Sequence, residues 1–505
     1  MEQLFIGGEY VDSSSDSWID VENPAREEII SQVPDASIED IDRAVAAAKR
    51  AQRQWRNLDS YSKCELLHEC ANRLEAHAEE LAVTLTLEGG KTLKENFDEV
   101  KWSAMDFRHV AETARASRGR VVGPTKPRQM NLVLKEPIGV VGHILPYNYP
   151  LALLAWQVSA ALAVGNACVV KPAEQTPLAT LKLGAVLDCL PAGVFNVITA
   201  APAGSAHLVT HPDTGMIAFT GSVTTGVRIM EAASARIKKL LLELGGSDPF
   251  IVLGDANLDV AVQGAIFAAF LNAGQVCTSA ERFYVQGDVF DDFMQRAVEL
   301  TGKVRIGDPM DEVDVGSMVS AEARAQAVAA VEQLVAQGGK IIVGGGDRPA
   351  NLSRGHFCAP TIVDMTKASE QPREELFGPI AAVTRVRDLD EAITLANDSK
   401  YGLAASIYTS DLGTAMRAAS ELEAGTIWIN DPLRDNDAAA FGGTKMSGFG
   451  RELGPEGLET FTQTKHVHIA FEQVTAPEWW FPYDRPVLTR TESGTSRPES
   501  LAGRR

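Results

Sequence analysis

Short apolar segments alternate with helical segments through residues 140–219, and no other feature of this sequence constrains the fold as strongly. Four apolar segments have the length and the flanking residues of buried strands, and helical spacing fills the chain between them. The four predicted strands are residues 140–144, 167–170, 195–198 and 216–219. Because repeated strand–helix–strand units build parallel sheets covered by helices on both faces, we predict a doubly wound α/β fold.

A second block of the same kind begins near Gly245. Its predicted helices are residues 260–270 and 290–301, and its predicted strands are 280–285, 341–343, 380–386 and 426–430. Upstream, apolar residues recur at helical spacing over 41–55 and 66–87. Residues 128–134 alternate polar with apolar side chains, as in an exposed hairpin arm, and the unpaired edge of such an arm favours association. Beyond about Glu472 the composition becomes polar, so we expect disorder over roughly the last 15 residues.

Residues 149–170 contain no charged side chain, and this stretch is long enough for a transmembrane helix. A proline, a glutamine and a Gly-Asn pair interrupt it, however. We therefore predict a buried helix over about 151–164, a turn at 165–166 and the strand at 167–170.

Length, charge and cysteine usage narrow the class of protein. A chain of 505 residues is too long to fold around a single hydrophobic core, so we expect roughly two to four domains. The formal net charge of −20 repels nucleic-acid phosphates and anionic membrane surfaces, so we expect neither as a partner. Six cysteines without a Cys-x-x-Cys pair argue against a disulfide framework or a zinc knuckle. With no signal peptide visible at the N-terminus, we expect a reducing, cytoplasmic compartment.

Two segments combine residues that suit covalent catalysis. In residues 272–278, Cys277 follows a glycine-containing turn. A nucleophilic thiol at this position would need a nearby base or a helix N-terminus to ionise it. The alternative is a buried structural cysteine. In residues 242–247, Glu243 lies between two leucines before a Gly-Gly pair. Burial would raise the pKa of its carboxyl and suit it to general-base work, and a solvent-facing glutamate is the alternative.

Three further segments follow predicted strands. Within residues 145–150, Asn148 stands between aromatic residues and prolines in a stiff loop. Its side-chain amide could donate a hydrogen bond to an oxyanion; the alternative is that this segment is an ordinary turn. Lys171 and Glu174 follow a buried strand at the sheet edge where α/β folds bind ligands. Their side chains could hydrogen-bond the ribose hydroxyls of an adenosine; the alternative is a solvated ion pair. Residues 219–226 form a glycine-containing turn that lacks the spacing of a dinucleotide fingerprint.

In combination these segments resemble the aldehyde dehydrogenase superfamily over about residues 5–470. The spacing from Glu243 to Cys277 agrees with that family. So do three later motifs in the same order, Glu-Glu-Leu-Phe-Gly-Pro at 374–379, Phe-Gly-Gly-Thr-Lys-Met-Ser-Gly at 441–448 and Gly-Arg-Glu-Leu-Gly at 450–454. The resemblance implies an NAD(P)-dependent enzyme that oxidises an aldehyde to the carboxylic acid with water. Within that family the chain resembles the betaine-aldehyde and aminoaldehyde dehydrogenase branch.

The resemblance also implies roles for individual residues. Cys277 would attack the aldehyde, the Asn148 amide and the Cys277 N–H would hold the oxyanion, and Glu243 would activate water. The implied cofactor contacts are Ile144, Leu145, Lys171, Glu174, Gly221, Ser222, Thr225, Leu244, Gly245, Glu375 and Phe377. Because the Glu174 carboxylate would repel a 2′-phosphate, we expect NAD as the preferred cofactor and NADP as the alternative. Three positions depart from the family pattern: Tyr147 replaces a usual Trp, Tyr149 a common Phe, and Ala201-Pro202 stands where a Gly is frequent.

For the substrate, the resemblance implies a tunnel lined by Tyr149, Trp156, Leu271, Thr278, Asp435 and Phe441. Tyr149 and Trp156 match aromatic positions that betaine-aldehyde and aminoaldehyde dehydrogenases use against cationic substrates, for which cation–π contact is the physical reason. Residues 431–437 add three carboxylates against one arginine. A smaller Leu271 leaves room for general aliphatic or aromatic aldehydes, so both substrate classes stay open. Two other classes of function are alternatives to a dehydrogenase. One is a non-catalytic relative, which should lack Cys277 or Glu243, and the other is a cysteine hydrolase that needs no cofactor.

The family architecture divides the chain into four parts. A dinucleotide-binding domain would cover 1–117 and 138–244, a catalytic domain 245–460, an oligomerisation arm 118–137 with 461–471, and a C-terminal extension 472–505. The expected assembly is a homodimer or homotetramer, and the resemblance implies no metal.

Overall fold

A computed structural model of the chain describes residues 2–116 and 119–472, Phe481, and two short strands near the C-terminus. The described strands are β1 (Leu4–Ile6), β2 (Glu9–Val11), β3 (Trp18–Asn23), β4 (Glu28–Pro34), β5 (Arg120–Val122), β6 (Gln129–Pro137), β7 (Val140–Ile144), β8 (Ala167–Lys171), β9 (Phe195–Val197), β10 (Met216–Gly221), β11 (Lys239–Leu244), β12 (Asp248–Val252), β13 (Ala280–Gln286), β14 (Lys340–Val343), β15 (Thr361–Asp364), β16 (Ile380–Val386), β17 (Ala404–Tyr408), β18 (Thr426–Ile429), β19 (Gly448–Phe449), β20 (Thr462–Ala470), β21 (Leu488–Arg490) and β22 (Ser496–Pro498). The described α-helices are α1 (Ile38–Trp55), α2 (Ser60–Ala76), α3 (Ala78–Gly89), α4 (Leu93–Thr113), α5 (Pro150–Ala163), α6 (Leu178–Val186), α7 (Pro202–Thr210), α8 (Val223–Ser234), α9 (Leu258–Phe270), α10 (Gly287–Thr301), α11 (Ala321–Ala336), α12 (Leu389–Asn397), α13 (Leu412–Glu421) and α14 (Gly454–Thr460).

The first sheet has eight strands in the order β19-β11-β10-β7-β8-β9-β1-β2, and the five from β11 to β9 are parallel. Side chains of one strand alternate between the two faces of a sheet. On β8, Cys168 and Val170 accordingly belong to the core cluster that includes α2–α6, while Ala167 and Val169 belong to the cluster that includes α1, α7 and α8. Burial on both faces explains why this strand is an uninterrupted apolar run, and the predicted doubly wound fold is confirmed.

The second sheet has seven strands in the order β14-β15-β16-β13-β12-β17-β18. All neighbours are parallel except β14, which pairs antiparallel with β15. β11 of the first sheet ends at Leu244 and β12 of the second begins at Asp248, so only three residues connect the two sheets at this point. One strand from the later half, β19, returns to the first sheet and pairs with β11 at Glu243 and Leu242.

The uncharged stretch at 149–170 folds as the sequence predicts. It forms α5, a turn in which Gly165 has a φ of 101°, and β8. Among the described residues no helix has the length and apolarity needed to cross a membrane.

The helical pattern at 66–87 does not form one helix, and this expectation is corrected. The chain leaves helical geometry at His77 (φ −104°, ψ 14°), so α2 ends and α3 begins at this residue. The backbone N–H of His77 still donates to the carbonyl oxygen of Arg73 (3.1 Å), and the imidazole Nδ1 contacts the same oxygen at 2.8 Å.

The arm forms a sheet of its own in the order β20-β6-β5. By its contacts, the chain separates into one compact unit of residues 1–118 and 135–463 and a second of 119–134 and 464–505. Within the second unit, the imidazoles of His466 and His468 both contact Asn131 Oδ1, at 3.1 and 2.8 Å. We expected disorder over about the last 15 residues, and most of these lie outside the described residues. The described part of this segment, Ser496–Pro498, pairs with β21.

Candidate active site

Cys277 lies in a tight turn between α9 and β13. The chain leaves α9 through a short turn in which Asn272 and Ala273 have positive φ (48° and 54°). At Gly274 (φ 73°) a Cβ would lie only 1.9 Å from the carbonyl oxygen of Gly378. Glycine alone fits this approach, which packs the Cys277 turn against the loop that precedes β16.

Glu243 is the second-last residue of β11, opposite Thr220 of β10. Its side chain is buried, and no N–H or O–H group among the described residues donates to its carboxyl oxygens. Burial raises the pKa of Glu243 well above the usual range, and the nearby Glu452 carboxyl adds to this, while contact with the Cys277 thiol opposes it. A carboxyl that exchanges its proton at such a raised pKa suits general-base catalysis.

The Cys277 thiol is also shifted away from ionisation. Burial raises its pKa well above the usual value, and the adjacent Glu243 carboxyl raises it further. The resting thiol is therefore protonated, and its proton has to leave before the sulfur can attack.

Asn148, in the loop between β7 and α5, is held through its backbone rather than its side chain. Its carbonyl oxygen accepts hydrogen bonds from Lys91 Nζ (2.9 Å) and Asn272 Nδ2 (3.4 Å). The side-chain Oδ1 is buried and has no partner in the described part of the chain. The fold thus fixes the position of Asn148 and leaves its side-chain amide available to a ligand.

A buried ion pair that sequence analysis missed supports this loop. Lys91 Nζ also contacts the Glu99 carboxylate, and Glu99 Oε1 accepts the N–H groups of Leu151 (2.8 Å) and Ala152 (3.1 Å) at the start of α5. A carboxylate at a helix N-terminus is favoured by the helix dipole. Lys91 Nζ lies 3.6 Å from the centre of the Tyr149 ring, so this ring already carries one cation–π contact.

A cavity of about 560 Å³ has Cys277 and Glu243 in its wall and follows the carboxyl ends of β10 and β11. The residues that sequence analysis proposed and that line it are Asn148, Gly221, Ser222, Glu243, Leu244, Gly245, Cys277, Glu375 and Phe377. Helix α11 adds Gln326, Ala329, Ala330 and Gln333, which sequence analysis missed because no motif marks that helix.

Five proposed cofactor residues lie outside the lining of this cavity: Ile144, Leu145, Lys171, Glu174 and Thr225. Ile144 and Lys171 are partners in the parallel register of β7 and β8, and the Leu145 N–H donates to the Lys171 carbonyl (3.0 Å). The N–H of Thr225 donates to Ser222 Oγ (3.3 Å), which caps the start of α8. These residues therefore extend the same row of strand ends across β10, β7 and β8.

Lys171 and Glu174 are close together at the end of β8. Lys171 Nζ is buried and lies 3.5 Å from Glu174 Oε1, which is partly exposed. Burial lowers the pKa of Lys171, and the Glu174 carboxylate acts in the opposite direction. The pair offers an ammonium donor and a carboxylate acceptor side by side, as vicinal hydroxyls require.

The loop that carries Glu375 and Phe377 is anchored by a carboxylate that sequence analysis also missed. Glu281 of β13 is buried, and its Oε1 accepts the N–H groups of Leu376 (2.9 Å) and Phe377 (2.8 Å). Phe377 has a φ of 45°, which is uncommon for a bulky residue and needs support from its surroundings. Glu375 Oε1 in turn accepts the N–H of Gly246 (3.1 Å).

A second cavity, of about 470 Å³, also has Cys277 in its wall. All six proposed tunnel residues line it: Tyr149, Trp156, Leu271, Thr278, Asp435 and Phe441. Trp102 of α4, Phe267 of α9 and Tyr408 of β17 are aromatic lining residues that sequence analysis missed, since they come from distant elements. The Cys277 thiol therefore lies where the two cavities meet.

The tunnel wall is acidic. The Trp156 ring packs on Phe441 with centroids 5.1 Å apart, and burial raises the pKa of the nearby Asp106 carboxyl well above the usual range. Asp435 lies in the wall without a salt-bridge partner among the described residues, whereas Asp431 is 3.2 Å from Arg434 Nε. Asp435 is solvent-exposed at this wall, and the surrounding protein atoms that partly desolvate its carboxyl raise its pKa to about 6, so it is mostly ionised at neutral pH.

One group in the described part of the chain has the composition of a metal site, away from both cavities. Asp42 Oδ1 lies 2.7 Å from His207 Nε2 and 3.2 Å from His211 Nε2. His211 Nδ1, however, accepts the N–H of Asp213 (3.0 Å). The neutral His211 ring therefore carries its proton on Nε2, the atom that faces Asp42, and the group is best described as a hydrogen-bonded cluster.

The sequence matches the aldehyde dehydrogenase family over residues 10–467, and the chain belongs to this family. It is an NAD(P)-dependent aldehyde dehydrogenase. Betaine aldehyde dehydrogenase of Bacillus subtilis is 37% identical over 92% of this chain and 97% of its own length. Succinate-semialdehyde dehydrogenase [NADP(+)] of Escherichia coli is also 37% identical, over 93% of this chain and 98% of its own. Among solved structures, betaine aldehyde dehydrogenase of Staphylococcus aureus in complex with NAD+ has 34% identity and a TM-score of 0.92, covering 95% and 97% of the two chains.

Proposed function

We propose that Cys277 is the nucleophile and Glu243 the general base of an aldehyde oxidation that ends in hydrolysis to the free acid. The observation that supports this is the position of the Cys277 thiol, in the wall of both cavities and beside the Glu243 carboxyl. An aldehyde in the second cavity and a nicotinamide in the first would meet at this sulfur.

In the first half-reaction the Cys277 thiol gives up its proton to water, and the resulting sulfur anion adds to the aldehyde carbon. The Asn148 side-chain amide and the Cys277 N–H donate to the resulting oxyanion, and one such donor is typically worth roughly 10²–10³ in rate. A nicotinamide held beside Glu375 and Phe377 would supply the hydride acceptor for this half-reaction. Cys277 then carries the acyl group as a thioester.

In the second half-reaction Glu243 takes a proton from the attacking water. The water oxygen bonds to the acyl carbon, the carbon–sulfur bond breaks, and Cys277 regains its sulfur anion while the acid leaves. Glu243 is suited to this step because no N–H or O–H donor in the described part of the chain occupies its carboxyl oxygens.

The residues of the first cavity fit an NAD(P) molecule. Ser222 caps α8, whose N-terminus offers N–H groups and a favourable dipole to a pyrophosphate. A Cβ at Gly245 would lie 2.3 Å from Glu375 Oε2, so the absence of a side chain keeps the Glu375 carboxyl close to the backbone at the cavity wall. Glu375 and Phe377 would bind the nicotinamide ribose, and Lys171 with Glu174 the adenosine ribose.

For the cofactor we propose a preference for NAD. The Glu174 carboxylate beside Lys171 would accept hydrogen bonds from ribose hydroxyls and would repel a 2′-phosphate. A higher kcat/KM with NADP than with NAD in the purified enzyme would contradict this preference.

For the substrate we propose a cationic aldehyde, of the quaternary-ammonium or ω-amino type. The two relatives named above are equally similar to this chain but carry the names of a cationic and an anionic aldehyde, so similarity does not decide between them. The support comes from Asp435, an ionised wall residue without a salt-bridge partner in the described part of the chain. A neutral aliphatic or aromatic aldehyde is the second candidate. Leu271 leaves space for it, and the Lys91 ammonium already makes a cation–π contact with the Tyr149 ring that a cationic substrate would use.

The test is NADH formation with betaine aldehyde, 4-aminobutanal, octanal and benzaldehyde. We expect a cationic aldehyde to have the highest kcat/KM. In Asp435→Asn, kcat/KM for that aldehyde should fall about tenfold, equivalent to about 1.4 kcal/mol, while the values for the neutral aldehydes stay within about twofold. Asp431→Asn is the matched control, because Arg434 already neutralises that carboxylate. If neither cationic aldehyde exceeds the neutral ones, the cationic proposal is wrong.

A further inference from the structure

Two thiols outside both cavities face each other. Cys70 lies on α2 and is buried, and Cys189 lies in the turn after α6 and is half-buried. Their sulfur atoms are 3.5 Å apart although the residues are separated by 119 positions in the chain. Cys70 is part of the core cluster of the first sheet and Cys189 packs against it. The aldehyde chemistry uses neither residue.

The charges around the pair make the two thiols unequal. Donation from the Cys70 thiol lowers the pKa of Cys189, partial burial opposes this, and the Arg73 guanidinium lowers it again. The same contact, followed by burial, raises the pKa of Cys70 well above the usual value. Arg73 is held beside the pair by Glu69 (2.8 Å) and by Asp188. Cys189 is therefore the more acidic and more accessible thiol, and Cys70 is its protonated partner.

Other cysteines lack this arrangement. Cys168 and Cys358 are buried, and no second sulfur contacts either of them in the part of the chain that the structure describes. Burial raises the pKa of Cys358 to about 12 and that of Cys168 further. Cys64 is buried on α2 with Cys70 and serves as a control on the same helix.

We propose that Cys70 and Cys189 form a reversible dithiol–disulfide site that reduces hydrogen peroxide or an organic hydroperoxide. The Cys189 thiolate attacks the peroxide, so a sulfur–oxygen bond forms, the oxygen–oxygen bond breaks, and water or an alcohol leaves with a proton. The Cys70 sulfur then attacks the sulfenic acid, the sulfur–sulfur bond forms, and the second oxygen leaves as water with the Cys70 proton. Two thiols are oxidised and one peroxide is reduced, and a thiol reductant restores the pair.

The test treats the full-length protein with a stoichiometric amount of hydrogen peroxide, followed by catalase. Free thiols are alkylated in denaturant and each cysteine is mapped by peptide mass. We expect Cys70 and Cys189 to disappear from the alkylated pool together, at least about tenfold faster than Cys358, and to appear as one cross-linked peptide. Dithiothreitol should return both to the alkylated pool.

Single substitutions separate the two steps. In Cys189→Ser, Cys70 should stay alkylatable, and in Cys70→Ser, dimedone should trap Cys189 as a sulfenic acid. Cys64→Ser should form the cross-link as fully as the parent chain, and its oxidised form should melt at a higher temperature than its reduced form because the cross-link restricts the unfolded chain. Oxidation of Cys189 without loss of the Cys70 thiol, or a cross-link to another cysteine or another chain, would overturn the proposal. None of these readouts depends on the aldehyde reaction.

Discussion

At the scale of single residues, the carboxyl groups of Glu243, Glu281 and Glu375 differ in how many backbone groups donate to them. Glu281 accepts two N–H groups, Glu375 accepts one and Glu243 accepts none in the described part of the chain. Burial raises all three pKa values, to about 7 for Glu281, to about 8 for Glu375 and well above the usual range for Glu243. Since hydrogen bonds to the ionised form lower a carboxyl pKa, Glu281 is suited to anchoring a loop and Glu243 to exchanging a proton.

Glu243→Gln separates the two half-reactions. The amide matches the carboxyl in size but takes no proton, and it removes the charge that raises the Cys277 pKa. We expect a rapid burst of NADH of about one per active site, followed by steady-state turnover lowered by roughly 10²–10⁴-fold, because hydrolysis loses its base. Rapid-mixing absorbance measures the burst, and intact mass detects the acyl enzyme.

The pH dependence of the parent enzyme provides the control for that variant. Because the proposed base Glu243 works in its ionised form and its pKa is raised, kcat should rise with pH over a range well above that in which an ordinary glutamate titrates. The variant should lose this rise. A variant that kept both the steady-state rate and the pH profile would show that another group is the base.

Glu281→Ala tests the anchor of the 375–377 loop. Without its two hydrogen bonds, Glu375 and Phe377 lose their fixed positions, and KM for NAD should rise about tenfold, equivalent to about 1.4 kcal/mol. Hydrolysis of p-nitrophenyl acetate at Cys277, which needs no cofactor, should stay within about twofold of the parent.

Glu88→Ala is the matched control for that substitution. Glu88 is also a buried carboxyl that accepts two consecutive N–H groups, those of Leu178 (2.6 Å) and Ala179 (3.0 Å), but it lines neither cavity. It should lower Tm without changing KM for NAD. Equal effects of the two variants on KM would assign Glu281 a purely structural role.

At the scale of elements, the site is assembled where strands end and helices begin. Ser222 caps α8 after β10, Glu99 caps α5 after β7, and Lys171 with Glu174 follows β8. β10, β7 and β8 are neighbours in the sheet, so these three ends form one continuous edge. This geometry places ligand-binding groups at the carboxyl edge of a parallel sheet, as expected for such folds.

Glu174→Ser tests cofactor choice at that edge. Removing the carboxylate ends the repulsion of a 2′-phosphate and leaves Lys171 as an attractive charge. We expect the ratio of kcat/KM for NADP to that for NAD to rise at least about tenfold. Glu231→Ser on the exposed side of α8 is the control and should leave the ratio unchanged. An unchanged ratio in Glu174→Ser would mean that this carboxylate does not select the cofactor.

At the scale of the whole molecule, the arm presents an unpaired strand edge. β5 is the outer strand of the order β20-β6-β5, and its Val121 side chain is 71% exposed. An exposed apolar edge strand is an assembly site in proteins that associate. We therefore expect this chain to form a homodimer or homotetramer through the arm.

Val121→Glu should weaken that assembly. A charge on the outer strand opposes pairing and burial, so the mass from light scattering should fall toward that of a smaller species. Leu412→Glu is the control, because Leu412 is 74% exposed on α13 and lies outside the arm. Equal masses of the parent chain and Val121→Glu would contradict an assembly through β5.

The local pattern of apolar residues was sufficient to predict the order of strands and helices along the chain. The apolar runs at β7, β8 and β10 are buried on both faces and therefore show in the sequence, and the two-sheet α/β architecture follows from them. Cys277 and Glu243 could be identified because each stands in a short motif and the motifs occur in a fixed order. The break at His77 was missed because the helical pattern continues through it.

Only the tertiary structure decided which side chains support those residues. Lys91 and Asn148, Glu281 and Phe377, and Cys70 and Cys189 are pairs from distant parts of the chain. No periodicity links such residues, since a buried polar group finds its partner through the packing of whole elements. The sequence by itself therefore determined the fold class and the motifs that carry Cys277 and Glu243, and packing decided how the Cys277 turn, the 375–377 loop and the tunnel wall are held together.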